Sequence, residues 1–225
     1  MRGIVALLVA LIVCIGAGPA SAAPPRSPLR ENLQFDASSE MALVVFEAEP
    51  TTMPATWRLN MLAFAPDTRT WTYGLTRGWS QFEGIEPGAT GRQFYAGLVR
   101  PGGIYAINSI SANVWWTGCL NGGSKAFNLQ AGAVNYIGLI DPNPTIAEIA
   151  RGLPPTTRSQ RLFLFDTPRL SYTPATERPN WEADVAAFLA MRLPRVNAPI
   201  VAPDPIDVTF ERGHSVVAGE ICEKY

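Results

Sequence analysis

The chain is poor in the residues on which most catalysis and metal binding depend. Among its 225 residues there is one histidine, His214, and there are three cysteines. One histidine cannot build a His-rich zinc site, and neither an HExxH nor a CxxC pair occurs. A Ser-His-Asp triad would have to use His214, yet no GxSxG turn presents a serine. His214 follows Gly213 in a polar stretch, where an exposed loop histidine is expected. No phosphate-binding glycine loop and no dinucleotide fingerprint is present. Positive charge is scarce as well. The chain carries 18 Lys+Arg against 19 Asp+Glu, and no basic run gathers them. Nucleic-acid binding by phosphate neutralisation and adhesion to anionic lipid therefore have no footprint. We expect no catalytic residue, no metal and no cofactor.

Long apolar runs are also missing, apart from the first. Ile4 to Ile15 is unbroken, follows Arg2, meets Gly16, Gly18 and Pro19, and leads to the small-x-small site Ala20-Ser21-Ala22. This is the pattern of a cleaved secretory signal, giving residues 1–22 as leader and Ala23 as the mature start. The run is too short to span a bilayer core of about 30 Å. No transmembrane segment is expected in the mature chain, and the protein is read as periplasmic or secreted. Cys14 lies inside the run behind the bulky Val13, so it is not a lipid-attachment site and leaves with the leader.

Two cysteines then remain, Cys119 and Cys222, in a compartment where disulfides persist. An even count favours a bridge. The alternative is a pair of free thiols, with Cys119 as a nucleophile served by His214.

What is present is strand-like. Residues 23–40 open with a proline-rich, polar stretch and read as a linker. Residues 41–141 read as a β-sandwich core, and residues 142–225 as a strand-plus-helix extension of the same domain. Ala42 to Glu47 is β-branched and aromatic. Trp57 to Ala65 alternates at the sheet period, with Trp57, Leu59, Met61 and Ala63 on one face. Thr70 to Leu75 is its return strand, and Thr76 to Arg92 is a long glycine-rich surface loop. Phe94 to Arg100 and Ile104 to Ile110 flank the turn Pro101-Gly102-Gly103. Trp115 to Gly118 and Lys125 to Leu129 flank Leu120-Asn121-Gly122-Gly123, where a tight hairpin turn is expected. Val134 to Ile140 follows. Such a succession predicts a mainly β fold, an antiparallel β-sandwich. A turn or two of helix is expected at Thr145 to Arg151, and a strand at Arg161 to Asp166. One longer C-terminal amphipathic helix is expected after Asn180: Trp181, Val185, Phe188 and Leu189 share a stripe, and Pro194 stops it. It should pack on the sandwich. A last short strand is expected around Asp207 to Phe210.

Pro101-Gly102-Gly103-Ile104-Tyr105-Ala106-Ile107, then Ala131-Gly132-Ala133-Val134-Asn135-Tyr136-Ile137-Gly138, resembles uncharacterised secreted or lipid-anchored bacterial proteins with a prealbumin-like sandwich. The resemblance covers the middle third of the chain. It implies that Pro-Gly makes a hairpin turn, Tyr105 fills a sheet face, Gly132 makes the next turn and Tyr136 anchors the following strand. It implies an envelope location and carries over no catalytic residue. The chain departs from the lipid-anchored members in lacking a usable lipid-attachment cysteine.

The aromatics are the positive functional signal. Trp115 and Trp116 are adjacent in a strand, so one faces the core and the other outward. Trp79, Phe82 and Trp116 are the candidate binding residues, able to stack on a sugar ring or a partner side chain. The expected partner is an envelope protein or a glycan. A reading from another class, a small secreted hydrolase, would use the loop carboxylates Glu83 and Glu86.

Overall fold

A computed structural model of the chain describes residues 29, 32–50, 57–71, 80–85, 93–99, 104–112, 116–152, 162–165, 167, 169–215 and 219–222. The expected leader, residues 1–22, lies outside them. The first half supplies β1 (Phe35–Asp36), β2 (Ala42–Ala48), β3 (Trp57–Ala65), β4 (Thr70–Trp71), β5 (Ser80–Ile85) and β6 (Gln93–Val99). There follow β7 (Ile104–Ala112), β8 (Trp116–Cys119), β9 (Ser124–Asn128), β10 (Val134–Asp141) and helix α1 (Asn143–Gly152). The last third adds β11 (Leu162–Leu164), β12 (Ser171–Thr173), helix α2 (Trp181–Arg192), β13 (Val196–Asn197) and β14 (Ile200–Val201). It closes with β15 (Ile206–Val208), β16 (Gly213–Ser215) and β17 (Gly219–Ile221).

The chain is mainly β, as expected: two curled, largely antiparallel sheets that β5 joins into one of thirteen strands, with the two-stranded pairs β1–β13 and β16–β17 beside it and α2 packed on one face. One sheet runs β12-β10-β2-β6 and the other β3-β7-β8-β11, with β9 also on β7. Strand β5 joins them. Its first half pairs with β3 (Leu59↔Phe82) and its second half with β6 (Gly84↔Tyr95). A strand that changes partner midway is how a sheet turns a corner. Over Ser80–Ile85 this corrects the surface loop expected at Thr76 to Arg92, because glycines and polar residues are compatible with a short strand whose pairing is dictated from both sides; the rest of that span lies outside the described residues. Not every pair is antiparallel: β10 lies parallel to β2, and β11 parallel to β8.

Burial follows the layers. All seven residues of β2 are buried, and they alternate between two cores. Val44 and Phe46 point between the sheets with Leu59, Met61, Ile107, Ile110 and Ile137, and Phe46 stacks on Tyr95 at 4.9 Å. Leu43 and Val45 face outward, where α2 covers them with Val185, Phe188 and Leu189. Phe94 and Phe188 stack there at 4.7 Å. The predicted helical stripe is thus the buried face. Its start differs in detail: Asn180 adopts φ 62° and makes no side-chain capping bond, while its carbonyl oxygen accepts from the Asp184 N–H at 3.1 Å.

Other local expectations change. The strict two-face alternation of β3 breaks at Asn60/Met61, opposite an extra residue, Asn108, in β7. Leu62 and Phe64 on the second face are buried too, Phe64 against Trp71 and Phe210. Strands β6 and β7 do not pair with each other, as a hairpin would require, and the expected turn Pro101-Gly102-Gly103 lies outside the described residues. Leu120 to Gly123 is no hairpin either. Both β8 and β9 run antiparallel along one edge of β7, as one strand broken by a four-residue excursion.

The two glycines of the Ala131-to-Gly138 motif are the described glycines with positive φ, at 65° for Gly132 and 104° for Gly138. A Cβ on Gly132 would overlap the Ala37 carbonyl oxygen, and Gly138 sits in a bulge of β10 beneath Thr173. Tyr105 and Tyr136 are both buried.

The expected last strand, Asp207 to Phe210, is β15 followed by the buried Phe210, and a further hairpin, β16–β17, lies beyond it. Cys222 follows that hairpin and is bridged to Cys119, at a Cα–Cα distance of 5.3 Å. Parts of the 23–40 stretch are ordered: Phe35–Asp36 pairs parallel with β13.

Candidate functional site

The excursion at Leu120 to Gly123 shapes one wall of a cleft of about 550 Å3. The opposite side is the β3–β4 turn with Phe64, Pro66 and Arg69. β15 and the segment entering β12 close it, contributing Asp207, Arg169, Leu170 and Tyr172. Pockets of this size suit small molecules or a few units of a chain molecule.

Asp207 and Lys125 face each other across the β15–β9 ladder. Lys125 Nζ donates to Asp207 Oδ1 at 2.8 Å, with Asp207 87% exposed and Lys125 24%. Its ammonium also lies 5.6 Å from the centre of the Tyr172 ring. The Lys125 hydrogen bond and charge hold the Asp207 carboxyl below the usual range, and Arg169 adds to the effect.

The two arginines are placed differently. Arg169 lies across Gly123, where a Cβ would come within 2.8 Å of its Cγ. A glycine is thus what admits the guanidinium stem. Arg69 holds the turn at φ 55°, a conformation that costs a side-chain-bearing residue about 1–2 kcal/mol. Neither arginine forms an ion pair with a described residue. The cleft thus carries three cations and one carboxylate over an apolar floor of Phe64, Leu170 and Val208. Ser124 is in the wall, but its hydroxyl donates to the Ile107 carbonyl oxygen and is buried.

The residues singled out from sequence are placed by strand register where they are described. Phe82 is in β5 opposite Leu59, and Trp116 opens β8 opposite Ala112 and Leu162. Trp79 and Glu86 lie outside the described residues, while Glu83 sits in β5 opposite Ala96. His214 is exposed in β16, and the disulfide removes Cys119 as a nucleophile. Trp57 and Trp71 are core residues. Among the described residues no three or more His, Cys, Asp and Glu groups converge as a metal site would need.

A second polar cluster lies deeper. Under α2, Glu47 accepts from the Tyr136 hydroxyl at 2.8 Å and from Arg178 Nη2 at 2.8 Å, and Tyr136 stacks on Trp181 at 5.1 Å. Glu47 and Tyr136 are wholly buried, and the cluster ties helix to sheet.

Burial pushes the phenols of Tyr95, Tyr136 and Tyr172 above their ordinary value, with Glu47 reinforcing the effect at Tyr136. A raised folded-state pKa contributes stability that is complete below the unfolded value of about 10 and is lost as pH climbs past it. Urea midpoints should therefore hold steady at mildly alkaline pH and fall above about pH 10. A midpoint still flat at about pH 11 would refute this account of the three tyrosines.

No family model, curated protein or solved structure matches the chain.

Proposed function

We propose that this protein is a non-enzymatic binding domain that works outside the cytosol, in the periplasm or after secretion. Its partner is an envelope protein or glycan, seated in the cleft between the β3–β4 turn, β9 and β15. The observation that carries this reading is the pair of arginines lining that cleft without an ion pair to any described residue. One of them is held in a left-handed turn conformation. Cationic side chains over an apolar floor form a surface with unused hydrogen-bonding capacity, which is what a ligand site offers. Export is supported by the leader pattern of residues 1–22 and by the Cys119–Cys222 bridge, a bond that persists outside the reducing cytosol. The resemblance to exported prealbumin-like proteins agrees with it.

The test is a saturable pull-down of the chain from Ala23 onward against envelope extract and a glycan panel. Loss of the partner in Arg169→Ala is expected. Loss in Trp79→Ala or Trp116→Ala, with Arg169→Ala unaffected, would move the site to the aromatic strands. Turnover of any panel member would sink the binding-domain reading.

A further inference from the structure

We infer that the cleft recognises a saccharide bearing carboxylates, a uronic-acid oligomer or polymer; this rests on the binding-domain reading above and narrows its ligand. The charge pattern is the argument. Arg69 and Arg169 each present a planar guanidinium whose donors match a carboxylate two at a time. They reach the cleft from separate segments, the β3–β4 turn and the approach to β12, so two anionic groups spaced along one chain can be held together.

Asp207 sits in the same cleft, largely exposed and kept ionised by Lys125. It is an acceptor only. A ligand that offered nothing but anionic groups would be repelled there. A sugar acid offers a carboxylate to each guanidinium and hydroxyl donors to Asp207, and its C–H face suits apolar floor residues such as Leu170 and the 37%-exposed Ile206. Lys125 is already engaged by Asp207 and Tyr172, so it tunes the acceptor and does not compete for the ligand's acid. Gly123 admits the Arg169 stem and has no side chain to offer a ligand, which provides a variant that shifts the guanidinium without removing its charge.

The experiment is titration calorimetry of the full chain with three probes. These are an oligogalacturonate, its fully methyl-esterified form, and an oligoglutamate peptide of equal charge. The expected result is saturable binding of the oligogalacturonate alone, weakening as salt is raised. Affinity should fall about ten- to hundredfold in Arg69→Gln and in Arg169→Gln, the loss typical of a charge-assisted hydrogen bond. Gly123→Ala should lower it less, and Asp207→Asn should lower it while improving any residual oligoglutamate binding. All four changes lie on the surface, and unchanged circular dichroism excludes misfolding as the cause.

Equal binding of the methyl ester would overturn carboxylate recognition and leave the binding-domain reading standing. Equal binding of oligoglutamate would overturn the saccharide and make the partner an acidic peptide. Heat from none of the probes would overturn the inference. New reducing ends released from the oligogalacturonate would overturn the binding-domain reading itself.

Discussion

Opening the Cys119–Cys222 bridge should cost roughly 4–5 kcal/mol of folding stability, the chain-entropy value for a loop of about a hundred residues. The two cysteines are 103 positions apart, and both are fully buried. A closed loop of that length removes many unfolded conformations, so the loss on reduction is felt mainly in the denatured state. For a chain of this size each kcal/mol moves the melting temperature by about 2–4 °C, giving a fall on the order of 10–20 °C. Locally the effect should be larger than globally. The β16–β17 hairpin is two-stranded and pairs with no other described strand, and such hairpins are marginal alone. Protease cutting after reduction should thus begin within residues 213–222. Melting of the native chain in reductant, beside Cys222→Ala, tests both points; coincident curves with and without reductant would show that the bridge contributes nothing.

Glu47→Ala should cost about 3–5 kcal/mol, because it strands a buried guanidinium. Arg178 has a 9%-exposed side chain, and its Nε has no partner among the described residues, so Glu47 is its principal compensation. Arg178→Ala should cost a similar amount by removing the cation that balances the buried carboxylate. Tyr136→Phe should cost less, about 1–2 kcal/mol, since Arg178 still holds Glu47. The double variant Glu47→Leu/Arg178→Met separates the alternatives. Well-packed apolar side chains in place of a buried pair are often neutral, so the double variant should recover most of the loss. Urea midpoints in which the double variant equals the sum of the singles would mean that the two side chains act independently.

The candidate site was legible only in its scaffolding. Gly132 and Gly138 stood out in the sequence as motif glycines, and their positive φ explains them. Gly123 was legible as a turn residue, yet its role is to let Arg169 lie across a broken strand. Arg69, Lys125, Arg169, Tyr172 and Asp207 come from four distant segments and share no periodicity or spacing. Nothing local distinguishes them from other exposed charges. Conversely, aromatic clustering drew attention to Trp79, Phe82 and Trp116, because aromatics are conspicuous in sequence whether they serve a core or a ligand.

Periodicity and punctuation in the sequence by themselves determined the type of most long elements, β5 excepted, the buried stripe of α2, and the extents of β3 and β10 to within a residue or two. These are local consequences of backbone geometry and burial. Partner choice between strands was not local. That β6 and β7 part into different sheets, that β5 turns the corner between them, and that β10 lies parallel to β2 depend on which apolar faces meet. The same holds for the ion pair joining Glu47 to Arg178 across 131 residues, and for the cleft. Side chains so far apart in sequence become neighbours only when the sheets close, so the chemistry they create belongs to the tertiary structure alone.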